Sequence, residues 1–224
     1  MSRTRRLPTP AGPADRGFHG DLAYTRWLPE KAPWGGLVIL HGAHSCKENH
    51  HDMARTARAA GLAAVCFDLR GHGETPGTLD ARMLDDVASA AELVPRPLVL
   101  RGSSLGGFLA IAAAERAGAD AIIAVCPAPA EGLGRLFGDL AGFFAEHDLG
   151  LVVEQSSTPL MLVHAQGDER VPYQHSVDLH ERTAAAQKRL LILPGGHHRS
   201  VQHDEEIQNE SLRWVRRALA VPPS

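Results

Sequence analysis

The sequence has no apolar run long enough to cross a membrane, and it has few cysteines. A transmembrane helix needs about 18 or more consecutive apolar residues, so no membrane span is expected. The three cysteines, Cys46, Cys66 and Cys126, are odd in number and widely spaced, which does not fit a disulfide framework. The basic start at residues 1–8 is followed by prolines and polar residues, not by the apolar stretch of a secretory signal. We therefore expect a cytoplasmic protein with reduced thiols.

An excess of charge of one sign is also lacking. The chain carries 26 acidic and 23 basic residues, a formal net charge of −3 at pH 7, which does not indicate a nucleic-acid partner. Its 44% hydrophobic and 22% charged residues are ordinary for a globular domain. A chain of 224 residues can bury a large core without disulfides or metal ions. We predict one domain over residues 1–224, with a flexible tail at 1–17.

Short apolar runs bounded by glycine or proline alternate with segments of helical spacing. This alternation predicts a doubly wound, mostly parallel α/β sheet flanked by helices. The predicted buried parallel strands are 36–40, 62–67, 97–100, 121–126, 160–164 and 190–193, preceded by an antiparallel edge strand at 22–28. The predicted helices are 51–60, 79–93, 105–117, 174–187 and 205–219.

The connection between residues 126 and 160 is longer than an ordinary crossover helix requires. It contains the apolar pairs Leu136-Phe137 and Phe143-Phe144. We expect residues 128–157 to include a small lid over the strand ends. The alternative is a single crossover helix with a long loop.

A Gly-x-Ser-x-Gly sequence, Gly102-Ser103-Ser104-Leu105-Gly106, joins a predicted strand to a predicted helix. A sharp turn at this point pushes the central serine out of the backbone, and bulky neighbours would block its approach to a substrate. The pattern alone is common in loops, so its place between strand and helix is what favours a chemical role. Ser104 is the candidate nucleophile, and Ser103 is not.

Polar groups also follow the other predicted strands, at the edge of the sheet where α/β proteins bind ligands. His41-Gly42-Ala43 follows the run at 36–40. A backbone N–H in this turn can point at the oxyanion that develops when a carbonyl is attacked. We assign this role to Ala43, with the N–H of Leu105 as the second donor. Taken alone, the same residues also fit an ordinary turn.

An acid and two histidines follow the last two predicted strands. Asp168 comes just after the run at 160–164. A carboxylate there can hold a histidine in one tautomer and stabilise its protonated form, although a helix cap or Asx-turn is the alternative. His197 and His198 follow the run at 190–193. Neutral imidazole is the natural general base near pH 7, so one of these two histidines is expected to be the base.

The chain order of serine, acid and histidine, each at its own strand end, is the order of α/β hydrolases. The chain resembles this superfamily, in particular small bacterial serine hydrolases, over about residues 22–219. The motifs that carry the resemblance are His41-Gly42, residues 68–73, 102–107, 167–172 and 194–198. The family's Gly-x-x-His spacing, counted from Gly195, falls on His198 and makes it the expected base, with His197 as the alternative.

The resemblance implies a serine hydrolase that cleaves a carboxylic ester, a thioester or a related acyl bond. Ser104, Asp168 and His198 would form the catalytic triad, and residues 68–73 would shape the mouth of the site without taking part in the chemistry. The chain has little room for a large cap domain. An acyltransferase or a peptidase would share the triad, and a non-catalytic ligand-binding protein on the same fold is the alternative of another class.

The thirteen histidines invite a metal-binding interpretation. The sequence contains neither a His-Glu-x-x-His helix pattern nor a Cys-x-x-Cys pair. We therefore predict neither a metal ion nor a cofactor. The expected partner is a small acyl substrate.

Overall fold

In residues 12–222, which the computed structural model describes, eight strands form one sheet. The strands are β1 (Asp15–His19), β2 (Leu22–Trp27), β3 (Gly36–Leu40), β4 (Ala63–Phe67), β5 (Leu98–Ser103), β6 (Ala121–Val125), β7 (Leu160–Ala165) and β8 (Lys188–Leu193). Their order across the sheet is β1-β2-β4-β3-β5-β6-β7-β8. The pairs β1–β2 and β2–β4 are antiparallel, and the other five pairs of neighbouring strands in the described sheet are parallel. The predicted doubly wound, mostly parallel α/β fold is confirmed.

Helices cover both faces of the sheet. Their bounds are α1 (His51–Ala59), α2 (Met83–Ala91), α3 (Leu105–Ala112), α4 (Ala114–Ala117), α5 (Ala130–Leu136), α6 (Ala141–Glu146), α7 (Leu149–Gln155), α8 (Gln174–Arg182) and α9 (Glu205–Ala218). Alternate residues of one strand enter different cores, because successive side chains of a strand point to opposite faces. Val38 and Leu40 pack in the cluster that includes Phe108 of α3, whereas Leu37 and Ile39 pack in the other cluster, which includes residues of α1 and α9.

Several helix bounds differ from the prediction. The helix predicted at 79–93 begins at Met83, and the one predicted at 105–117 is divided at Ala113 into α3 and α4. The helix predicted at 174–187 ends at Arg182. Thr183 there has an extended conformation, and the N–H of Ala184 donates to the carbonyl of Val153 at 3.0 Å instead of continuing the helix.

The two edges of the sheet also differ from the prediction. The strand predicted at 22–28 is antiparallel but is not an edge, because β1 pairs along its outer side. The β1–β2 hairpin turns at Gly20, whose φ of 57° suits glycine. Residues 15–17 of the predicted tail therefore belong to a strand, while residues 1–11 lie outside the described part. Strand β8, predicted to be buried, is the other edge and is only half-buried, since β7 is its single neighbour.

Residues 128–157 form three short helices, α5 to α7, with a 3-10 turn at Gly138–Leu140. They do not form the alternative, a single crossover helix with a long loop. Phe144 is fully buried, and its ring packs edge-on against Phe108, with centroids 5.3 Å apart. This segment is therefore anchored in the core through α6. Its action as a lid stays a prediction.

The described residues contain no helix with the length and apolar character of a membrane span. Cys66, in β4, and Cys126, directly after β6, are buried in the core, as predicted, and Cys46 is half-buried. All three thiols are free.

Candidate active site

The residues that follow four parallel strands meet at one pocket. Ala43 follows β3, Ser104 follows β5, Val171 lies beyond β7 and His198 lies beyond β8. All four line a cavity of about 510 Å³. The carboxyl ends of parallel strands share one edge of the sheet, which is why segments so far apart in the sequence converge here.

Ser104 occupies a strained turn between β5 and α3. Its φ of 56° and ψ of −117° are unusual for a residue with a side chain. A Cβ atom at Gly102 would overlap the carbonyl oxygen of Gly106, and a Cβ atom at Gly106 would overlap the carbonyl oxygen of Leu40. No residue with a side chain therefore fits at either glycine of the Gly-x-Ser-x-Gly sequence without moving the backbone. The turn leaves Ser104 partly exposed at the pocket.

The neighbouring Ser103 has a different environment. It is 4% exposed, and its Oγ is buried without a hydrogen-bond partner among residues 12–222. It ends the buried strand β5, whereas Ser104 forms the apex of the turn. The two serines thus differ in burial and in their place on the turn, although both line the pocket.

Two backbone N–H groups lie beside Ser104. Leu105 is the first residue of α3, where helical N–H groups have no partner within the helix. Ala43 belongs to a turn closed by a 3.2 Å hydrogen bond from the N–H of Ser45 to the carbonyl of Gly42. A Cβ atom on Gly42 would lie 3.3 Å from Ser104 Cβ, so this turn packs directly on the serine. Within the described residues, neither N–H donates to a protein acceptor.

His41 holds the Ala43 turn in place. It is fully buried; its Nδ1 donates to the carbonyl of Gly42 at 2.8 Å, and its Nε2 accepts the N–H of Leu69 at 3.0 Å. Burial lowers the pKa of His41 to about 4, so the ring is neutral at pH 7. A neutral ring suits these two bonds, because one nitrogen must donate and the other must accept.

A buried ion pair connects the same turn to residues 68–73. Lys47 Nζ lies 2.6 Å from Asp68 Oδ2, and the two side chains are 2% and 0% exposed. Asp68 also accepts the N–H groups of Lys47 at 2.7 Å and Glu74 at 2.9 Å. Gly73 has a φ of 52°, and a Cβ atom there would overlap the Asp68 carboxylate. These contacts fit the structural role expected for residues 68–73.

Asp168 and His198 are joined by a hydrogen bond. His198 Nδ1 donates to Asp168 Oδ2 at 2.7 Å, and the exposed fractions of the two side chains are 7% and 0%. Nδ1 therefore carries the hydrogen, and Nε2 keeps the lone pair that a general base needs. The N–H of His198 donates to Glu169 Oε2 at 3.1 Å, which fixes the loop.

His197 lies apart from the acid. Its N–H donates to Ser200 Oγ at 2.9 Å, and its Nδ1 accepts the N–H of Arg199 at 3.3 Å. The side chain is exposed. Of the two histidines, the structure brings His198, the expected base, to Asp168 and leaves His197 apart from it.

Asp168 has a second histidine partner that the sequence analysis missed. His164, fully buried in β7, directs Nε2 at Asp168 Oδ2 (3.1 Å) and at the carbonyl of Val171 (3.0 Å). Both partners are acceptors, so Nε2 carries the hydrogen, and Nδ1 accepts from Ser176 Oγ at 2.7 Å. Its position four residues before Asp168, at the end of an apolar run, is the signal that could have identified it.

Hydrogen bonds keep Asp168 ionised. Its burial raises the pKa, but the bonds from His164 and His198, and from the N–H groups of Val171 and Arg170, outweigh burial and hold the pKa well below its usual range. The two N–H groups donate to Oδ1 at 2.9 and 2.8 Å. The carboxylate is therefore negative at any pH near neutrality.

The ligand atoms of Cys126, Asp168 and His198 lie within 4.8 Å of one another, as in some metal sites. Burial raises the pKa of the Cys126 thiol, which opposes the thiolate form that binds metals. Asp168 already accepts four hydrogen bonds. The donor set thus fits a hydrogen-bonded acid and base better than a metal centre.

Two protein-family models match this chain. Residues 37–155, more than half of the chain, match the model of the Alpha/beta hydrolase family. The chain belongs to this family. Residues 144–221, which include Asp168 and His198, also match the Prolyl oligopeptidase family.

Individual relatives are distant but span most of the chain. The sequence is 26% identical to the Escherichia coli (strain K12) protein "Uncharacterized protein YfhR", over 95% of this chain and 75% of that one. It is 23% identical to a Mycolicibacterium smegmatis monoacylglycerol lipase, over 87% of this chain and 92% of the lipase. These alignments extend beyond the motifs to the whole domain.

Solved structures share the fold. Est1E from Butyrivibrio proteoclasticus, solved with ferulic acid bound, superposes with a TM-score of 0.76 at 19% identity, covering 92% of this chain and 100% of that chain. The monoacylglycerol lipase of Paleococcus ferrophilus gives 0.73 at 19% identity, covering 88% and 99%. At such identities the likeness establishes the architecture only.

Proposed function

We propose that this protein is a serine hydrolase that cleaves a carboxylic ester, a thioester or a related acyl bond. The observation that carries the proposal is the Asp168–His198 hydrogen bond, formed at the same pocket that exposes Ser104 on a strained turn. Family membership and relatives that include monoacylglycerol lipases support hydrolysis.

Each residue has a role that follows from its environment. Ser104 Oγ attacks the acyl carbon while His198 Nε2 takes its proton, and ionised Asp168 stabilises the imidazolium. The N–H groups of Ala43 and Leu105 donate to the oxyanion. His198 then protonates the leaving group, and water, activated by the same histidine, releases the acid from Ser104.

A matched pair of serine variants tests the nucleophile. We expect Ser104→Ala to lower kcat for 4-nitrophenyl acetate by about a thousandfold to a millionfold, as in other triads. Ser103→Ala is the control, because this buried hydroxyl has no partner within residues 12–222. A fluorophosphonate probe should label the wild type and Ser103→Ala on Ser104, and should not label Ser104→Ala. Activity in Ser104→Ala together with loss in Ser103→Ala would reject the assignment.

Peptide hydrolysis is the second candidate, because the segment with the acid and the base matches the Prolyl oligopeptidase family. Comparing 4-nitrophenyl esters with 4-nitroanilides of the same acyl groups distinguishes the two activities. A ligand-binding protein without catalysis would stay folded and unlabelled by the fluorophosphonate.

A further inference from the structure

The pocket beside Ser104 is lined by several positively charged side chains. Three arginines line it: Arg135 from α5, Arg170 from the loop after β7 and Arg199 from the loop after β8. Among the described residues, no aspartate or glutamate lines this cavity. The chain as a whole has a formal charge of −3, so the positive charge is a local property of the pocket and not of the protein.

The guanidinium groups are available to a ligand. Arg135 pairs with Glu131 at 2.6 Å and Arg170 lies 3.7 Å from Glu169, but all four side chains are more than half exposed. Such exposed pairs contribute little and exchange readily with water or another anion. Within residues 12–222, Arg199 has no carboxylate within ion-pair distance. It follows directly after His198 and lines the same cavity as Ser104.

We propose that the substrate carries a carboxylate on the part of the molecule that occupies this pocket, and that Arg135, Arg170 and Arg199 bind it. This inference rests on the proposed acyl hydrolysis at Ser104. Guanidinium groups match carboxylates with two parallel N–H···O bonds, which gives geometric as well as charge selectivity. A cavity of about 510 Å³ has room for a short acyl chain ending in such a group.

Two esters that differ only in charge test the proposal. Mono-4-nitrophenyl adipate carries a terminal carboxylate, and methyl 4-nitrophenyl adipate has the same chain with that carboxylate masked. We expect kcat/KM of the wild type to favour the charged ester by about tenfold or more at low salt. The preference should decline in about 1 M NaCl, where the Debye length is about 3 Å.

Arginine variants connect the preference to these residues. Arg135→Gln/Arg170→Gln/Arg199→Gln should lose the preference for the charged ester, because its kcat/KM should fall by a larger factor for the charged ester than for the neutral one. Arg213→Gln is the control, since Arg213 is an exposed arginine of α9 that does not line the pocket. Equal rates on both esters in the wild type, or an unchanged preference in the triple variant, would overturn the proposal.

A binding measurement separates this inference from the proposed catalysis. Titration calorimetry with monomethyl adipate and the Ser104→Ala protein requires no turnover. We expect Kd to rise at least about tenfold when the three arginines are replaced, with no such change for dimethyl adipate. If the Kd for monomethyl adipate does not change when the three arginines are replaced, the carboxylate site is rejected, even if the protein hydrolyses esters. Arginine-dependent binding by a protein that hydrolyses neither ester would retain the site and reject the proposed function.

Discussion

At the scale of single residues, Asp168 has the most constrained environment in the site. One oxygen accepts from both His198 and His164, and the other accepts two backbone N–H groups. These bonds fix the carboxylate in one orientation and keep it charged after burial. A charged, immobile carboxylate holds His198 in the tautomer with Nδ1 protonated, which the proposed role of His198 as the base requires.

Replacing this acid tests that dependence. We expect Asp168→Asn to reduce kcat for an activated ester by about ten-thousandfold, because an amide removes the charge and favours the wrong tautomer of His198. Asp148→Asn is the control: Asp148 caps α7 by accepting the N–H of Leu151 at 3.2 Å and does not line the pocket. Steady-state kinetics on the two purified variants measures the difference. Near-normal turnover by Asp168→Asn would place the acid elsewhere.

At the scale of elements, the loops after β3 and β4 form one unit. Lys47 follows the Ala43 turn, Asp68 follows β4, and their ion pair joins the two loops below the protein surface. Burial lowers the pKa of the Lys47 ammonium, but its bonds with Asp68, Glu74 and Glu48 outweigh this and raise the pKa above its usual value. Lys47 therefore remains charged, and its contact with Asp68 holds the loop that carries the Ala43 N–H, the proposed oxyanion donor.

Breaking the Lys47–Asp68 pair should lower the stability of the protein. We expect Lys47→Met to lower the free energy of unfolding by about 3 kcal/mol, because it leaves the buried Asp68 carboxylate without its cation. Arg116→Met is the matched control, since its pair with Asp85 is about half exposed and should contribute less than about 1 kcal/mol. Urea denaturation measures both values. Equal losses in the two variants would contradict the role of the buried pair.

At the scale of the whole molecule, buried neutral histidines connect stability to pH. Burial lowers the pKa of His41 to about 4 and holds the pKa of His50 well below its usual value. In the unfolded chain both would bind a proton near pH 6.5. Between about pH 6.5 and 4 the unfolded state binds more protons, so the free energy of unfolding falls as the pH falls through this window.

A non-titrating variant tests this linkage. His41→Gln can still donate and accept a hydrogen bond, but it cannot take up a proton. We expect the wild type to lose more unfolding free energy than His41→Gln between pH 7 and 4, with a difference of up to about 3 kcal/mol. Urea denaturation series at both pH values measure it. Parallel losses in the two proteins would show that His41 does not contribute.

The sequence by itself determined the sheet and the candidate nucleophile, because both depend on local patterns. Alternating apolar runs and helical segments allow few arrangements other than a doubly wound sheet. The two glycines around Ser104 predicted a turn that only small residues fit, and the structure places carbonyl oxygens where their side chains would lie. Bounds such as the end of α8 at Arg182 were less predictable, because a contact with Val153 from a distant segment decides them.

The tertiary structure alone decided which side chains meet. Spacing favoured His198 over its neighbour His197, but the contact with Asp168 depends on the packing of β7 beside β8. The same holds for His164 and for the three arginines of the pocket, which come from separate elements. The spacing of apolar residues along the sequence indicates which face of a helix or strand is buried. The distances between elements far apart in the chain depend on the packing of the whole fold.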